Sequence, residues 1–416
     1  MDLNKFFRIS FLSMIILVLL SACSFKGNLS IDWESDLVYA KKEMLAKEIA
    51  LRNSQSRSEE FSKKIDGIIN RLNRFHNDDE VKVELSKALA SIGQLHTKLE
   101  LGIENVLPFI LYMYQDKLYI LDTLPQYSNY LFAELVEING HSVVKMTEQL
   151  KSIVSIDNEQ GLLVEVPSNI VKYSILHGLG IIKSEGKEVS VSVRLDDGKI
   201  NTINTPLVYQ GDSSLKLISP NKEKFLYSKY GQRNYEYTYL SDVNTVYIAY
   251  NNCEIDPEYS MEKFTNDVIA TINERKARKV IIDLRNNRGG NSEVIQPLLN
   301  ALIESSTMKD HIMAITGRYT ASSAMANAIQ LRSNYDAVLV GEPVNGDPNK
   351  PGDILTFSLP NSGLTVYYST KVFHMQNKND TSLSPNIYIE PSIKDFKEGN
   401  DPVLKEALKY DFNNKK

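Results

Sequence analysis

Cysteine is nearly absent: the 416 residues hold two, Cys23 and Cys253. A chain of this length cannot rest on a disulfide framework and must be held by its core. Histidine is sparse at six residues, and neither an HExxH nor a Cys/His cluster occurs, so the sequence implies no metal and no cofactor. No long basic run is present and the net charge is −5, which argues against a nucleic-acid partner. Repeats and low-complexity segments are missing. What is there is 42% hydrophobic and 24% charged, a globular composition with room for two or three domains.

The longest apolar run, Phe11 to Leu20, is too short for a membrane-spanning helix. Lys5 and Arg8 precede it and Leu20-Ser21-Ala22-Cys23 follows, the layout of a secretory signal. Leu-Ser-Ala-Cys resembles the bacterial lipobox. That resemblance implies a lipoprotein signal peptide over 1–23, with Cys23 lipidated and the protein held by a lipid anchor on the extracytoplasmic side of a cell membrane. An uncleaved signal anchor would also place the domain outside the cytoplasm.

Residues 24–100 form an N-terminal helical region. Ala40, Met44, Leu45 and Ile49, then Ile65, Ile68, Ile69 and Leu72, recur at helical spacing. A further helix over 79–92 stops at Gly93, directly before Gln94-Leu95-His96-Thr97. From Leu107 to Met146 the pattern turns β-like, and AELVEINGHSV reads as strand, Asn-Gly turn, strand. It resembles the INGxxV hairpin of PDZ domains without their Gly-Leu-Gly-Phe loop, so 101–150 is expected to be a degenerate PDZ-like module. Residues 151–243 are expected to hold linker helices (148–182 reads as helical), a β-hairpin around Asp196-Asp197-Gly198, and a polar, Tyr-rich linker or flap over 212–242.

From 244 to 416 strands and helices alternate: Thr245–Tyr250, Met261–Asn273, Lys279–Leu284, Val294–Ile303, His311–Thr316, then a small-residue helix after Ser322-Ser323. This is the pattern of βαβ units on a largely parallel sheet, in which sites gather at the carboxyl ends of strands. Two segments fall at such ends, Arg285-Asn-Asn-Arg-Gly-Gly290 and Arg318 to Ser323. A serine where a strand turns into a helix can simply cap the helix. It can also present its hydroxyl beside unpaired backbone N–H donors able to hold an oxyanion. A dinucleotide site at the Gly pair is excluded, since no G-x-G-x-x-G follows a strand.

VIIDLRNNRGG, YTASSAMANAI and VLVGEPVNG, in that order across 245–408, together resemble the tail-specific (C-terminal processing) serine peptidases. That superfamily includes the tricorn core and the interphotoreceptor retinoid-binding proteins. The resemblance implies a crotonase-like, ClpP-like βαβ protease core within an α/β chain. It places the nucleophile on Ser322 and the oxyanion hole on Gly289 or Gly290 N–H with Ser323 N–H. Arg288 stands where the family usually has proline. The family's lysine position carries Asp347, with Lys350 three residues on. The tricorn-like branch uses an N-terminal histidine instead, which His96 in IGQLHT resembles. Imidazole is a natural base for a serine hydroxyl, and Asp380, before Pro385-Asn386-Ile387, is the best match for a third, acidic member.

The expected function is a membrane-anchored serine endopeptidase acting on peptide or unfolded-protein substrates, with His96 or Lys350 as base. The alternative is an inactive lipoprotein of the same fold that binds a ligand or peptide. A third reading is a structural partner in envelope assembly, docking through its N-terminal helices.

Overall fold

The computed structural model describes residues 29–183, 188–305, 308–376 and 381–414. Cys23 and Asp380 lie outside the described residues. At the centre is a six-stranded sheet in the order Tyr235–Leu240, Thr245–Tyr250, Lys279–Asp283, Ile312–Thr316, Val338–Gly341, Ile387–Tyr388. All neighbours are parallel except the first pair. The three middle strands are continuous apolar runs because both faces are covered. Val280 and Ile282 point to one face, against the helices Met261–Arg275, Gln296–Glu304 and Ser323–Tyr335. Ile281, Met313 and Ile315 point to the other, against the helix Pro402–Lys409. The Lys279 ammonium holds that helix's end by donating to the carbonyls of Ala407, Leu408 and Tyr410.

The edge strand Tyr235–Leu240 falls in the segment expected to be a linker or flap. Its tyrosines look polar in sequence, yet Tyr235 is fully buried and its strand pairs antiparallel with Thr245–Tyr250 along its whole length. Tyrosine suits a half-covered strand, with an apolar ring and a polar tip.

A second, antiparallel sheet joins Phe109–Tyr114, Lys117–Thr123, Glu134–Ile138, Val189–Arg194 and Ile200–Thr205. It therefore runs on past residue 150 to take in the hairpin expected beyond the PDZ-like module. After the Asn139-Gly140 turn only His141–Ser142 pairs back, and the helix Val143–Leu150 follows at once. The stretch 148–182, expected to be helical, holds its helices in pieces. Val143–Leu150, Glu159–Asn169 and Tyr173–Gly178 are separate. The break at 151–158 ends in Asn158, an N-cap whose side chain accepts from Gly161 N–H.

The N-terminal helices Trp33–Lys47, Gln55–Ile69 and Asp78–Ala90 share a core with the late hairpin Pro351–Ser358/Thr365–Val372. Lys98–Glu100 extends that hairpin as a third strand. Glu48, fully buried, ties the two parts together: it accepts from Ala50 N–H, the Thr97 hydroxyl at 2.6 Å and Ser369 N–H at 2.8 Å. Among the described residues no helix is long and apolar enough to cross a membrane.

Candidate active site

Ser322 ends the turn between the strand Ile312–Thr316 and the helix Ser323–Tyr335. Its backbone sits at φ 52°, ψ −124°, a left-handed-side conformation that costs a non-glycine residue about 1–3 kcal/mol. It occupies the N-cap position, yet its side chain makes no capping bond. The turn is held by its neighbours instead. The Thr320 hydroxyl donates to Leu284 O and accepts from Gly317 N–H, Ala321 N–H donates to Asn287 O, and Asn345 N–H donates to Thr320 O. Ser323 differs from Ser322 in one respect that matters: its hydroxyl is spent on Gly290 O at 2.6 Å. Of the two, Ser322 is the one whose hydroxyl has no partner among the described residues.

The glycine loop comes up against this turn. Gly289 and Gly290 have φ 109° and 132°, and a Cβ on Gly289 would lie 2.8 Å from Ser322 Cβ. Glycine is needed there for both backbone angle and approach. Gly289 N–H donates to Asn287 Oδ1 at 2.9 Å and is thereby occupied. Among the described residues, Gly290 N–H and Ser323 N–H have no acceptor. Of the two glycines named from sequence, Gly290 has the free donor. Asn287, fully buried, also donates to Tyr250 O, so one side chain sets the height of the loop. Its place inside Arg-Asn-Asn-Arg gave no sign of this role. Arg288 stacks over Tyr319 at 4.9 Å with no carboxylate partner among the described residues.

His96 sits on the short arm between the helix Asp78–Ala90 and the strand Lys98–Glu100. Gly93, at φ 71°, stops the helix as expected. Both flanks of the histidine are fixed. Leu95 N–H donates to Asp157 Oδ1 at 2.9 Å, and Thr97 is bonded through its hydroxyl to Glu48 and through its carbonyl to the Ser155 hydroxyl. The ring itself makes no hydrogen bond or ion pair among the described residues. Burial, with a smaller push from Lys98, lowers its pKa from 6.5 to about 4, so the imidazole is neutral at neutral pH.

His96, Ser322, Ser323, Gly290 and Lys350 line one cavity of about 290 Å³, together with Asp157, Asp347 and Asp353. The fold thus brings an N-terminal histidine and a C-terminal serine, 226 residues apart, to one space without a hydrogen bond between them. Lys350 turns to other partners: its ammonium donates to Gly93 O and Asp157 O, both at 3.3 Å, and lies 3.6 Å from Asp157 Oδ1. An ammonium so engaged is poorly placed to be the neutral amine a lysine base requires. Asp157 has no counterpart in the motifs, and the segment around it reads as helix in sequence.

A larger cavity, about 590 Å³, lies between the antiparallel sheet and the carboxyl ends of the core strands. It includes Thr316 to Tyr319 but none of the candidate site residues. The fully buried Arg318 spans the junction, pairing with Glu342, donating to Met113 O on the edge strand and stacking on Tyr112 at 4.5 Å.

No family model matches this chain, and no curated protein is similar to it in sequence. Solved structures are similar to it in fold. Mature CPAF complexed with lactacystin superposes with a TM-score of 0.63 at 12% identity, over 91% of this chain and 99% of that one. The CPAF S499A mutant gives 0.66 at 12% identity, over 92% and 98%. Likeness at this identity speaks for the fold, and it extends over the N-terminal helices, the antiparallel sheet and the βαβ core together: the chain has the overall fold of mature CPAF.

Proposed function

We propose that the protein is a serine-type endopeptidase of the tail-specific kind, with Ser322 as nucleophile, His96 as general base, and Gly290 and Ser323 N–H as the oxyanion hole. The observation that carries this is the Ser322 turn: a strained serine with an unengaged hydroxyl, beside two backbone N–H donors without acceptors. In the reaction, Ser322 Oγ attacks the peptide carbonyl carbon while its proton passes to His96. The carbonyl oxygen takes the charge and is held by the two N–H groups. His96 then gives the proton to the departing amine, leaving an acyl-enzyme. Water, deprotonated by His96, releases the new carboxylate and restores the serine. The neutral imidazole at working pH is the form this needs.

The segments divide as a signal over 1–23, a helical region to 100, a PDZ-like sheet that presents an extended chain, and the peptidase core from 244. Cys23 would anchor the protein by lipid on the extracytoplasmic side. The competing reading, a ligand-binding protein of the same fold, is favoured by the unpartnered His96 ring.

A fluorophosphonate probe separates them. Wild type should label; Ser322→Ala and His96→Ala should not, while Ser323→Ala should retain most labelling because it leaves the free hydroxyl and both N–H donors. Folded wild type that does not label would count against the peptidase and favour the binding protein. Labelling that survives His96→Ala but not Lys350→Ala would move the base to lysine.

A further inference from the structure

Three segments far apart in sequence meet at Asp157. Its Oδ1 accepts from Leu95 N–H at 2.9 Å, next to His96, and its Oδ2 accepts from Asp347 N–H at 3.3 Å. The Lys350 ammonium lies 3.6 Å from Oδ1 and also donates to Gly93 O. The carboxylate side chain is 4% exposed. Its neighbours in sequence repeat the pattern. The Ser155 hydroxyl donates to Thr97 O, and Asn158 Nδ2 donates to the carbonyls of Val344, Gly346 and Thr381. So Ser155-Ile156-Asp157-Asn158 is stitched on one side to the His96 arm and on the other to the 344–347 loop, both of which wall the cavity at Ser322.

Resting on the reading that His96 serves Ser322, we propose that Asp157, ionised and paired with Lys350, is the positioning group that sets the His96 arm against the nucleophile. A triad acid holds an imidazole by its ring nitrogen. Here, among the described residues, no carboxylate reaches the ring, and the arm is held by its backbone instead. The charge on Asp157 is essential because both its protein donors are backbone N–H groups, and an ionised carboxylate accepts from both at once. Burial pushes the Asp157 carboxyl up from its ordinary value, and Lys350 opposes this. The other titratable groups around it are Asp347 on the facing loop and, lining the same cavity, His96 and Asp353.

The test uses the full chain and two readouts. In a Ser322→Ala background, hydrogen exchange of the Leu95 and Asp347 amides reports the clamp without any need for activity. Asp157→Asn, which keeps a single acceptor oxygen, should speed exchange of at least one of the two by about tenfold or more while amides of the central sheet are unchanged. In the active protein, Lys350→Met should slow probe labelling about ten- to a hundredfold and move its acid limb to higher pH, and Lys350→Arg should restore both. Unchanged exchange in Asp157→Asn overturns the clamp, and so does wild-type labelling with an unmoved acid limb in Lys350→Met. Failure of wild type to label at all removes the peptidase reading while the exchange result still decides the clamp.

Discussion

At the scale of single residues, this chain assigns opposite fates to two adjacent serines. Ser323 donates to Gly290 O, and Ser322 is left with a strained backbone and a free hydroxyl. Nothing in the Ser-Ser pair itself says which is which; the resemblance read from the sequence points to Ser322, by counting back from Gly-Glu-Pro. His96 carries a measurable electrostatic signature. The unfolded chain takes up a proton here near pH 6.5, whereas the folded one refuses it until about pH 4. The unfolded state therefore binds more protons across that window, and stability falls as pH drops through it. His96→Gln should remove up to about 3 kcal/mol of the acid loss, read from urea midpoints at pH 7.5 and 4.5. A variant that keeps the wild-type difference between those two values would assign the loss to another group.

At the scale of elements, the alternation from Thr245 onward was legible because the strands are continuous apolar runs and the helices periodic. Gly93 marked its helix end, and the motifs pointed to the two loops that wall the cavity at Ser322. Two features were hidden, each for a physical reason. Asp157 works through partners 62 and 190 residues away in sequence, so no local pattern announces it, and its apolar surroundings read as helix. Tyr235–Leu240 was hidden by tyrosine's polar tip. The N-terminal helices were legible as helices, but not as the partners of a hairpin from the other end of the chain. Glu48 makes that partnership, with three donors and no cation among its bonded groups. Glu48→Gln turns an amide N–H₂ toward groups that themselves donate, and should cost about 1–3 kcal/mol. The measurement is the thermal midpoint, together with loss of protection at Ser369 N–H. A Gln variant as stable as wild type with Ser369 still protected would show that the charge is dispensable.

At the scale of the whole molecule, the likeness to mature CPAF covers nearly the entire length of both chains, so the helical region, the antiparallel sheet and the core form one shared arrangement. Arg318 is where sheet and core meet, four residues before Ser322 and bonded to the sheet's edge strand at Met113. The closing of the N-terminal helices onto Thr365–Val372 has a further result. His96 leaves the ribosome early and Ser322 late, but the strand that fixes the histidine arm through Glu48 comes later still. A nascent chain stalled with residue 360 at the tunnel exit should be inert to the fluorophosphonate, and residues 1–360 should gain labelling only when 361–416 are supplied. Labelling of the stalled chain would refute this. On the proposed reading, reactivity at Ser322 is then a property acquired only at the end of biosynthesis, once Ser369 has reached Glu48.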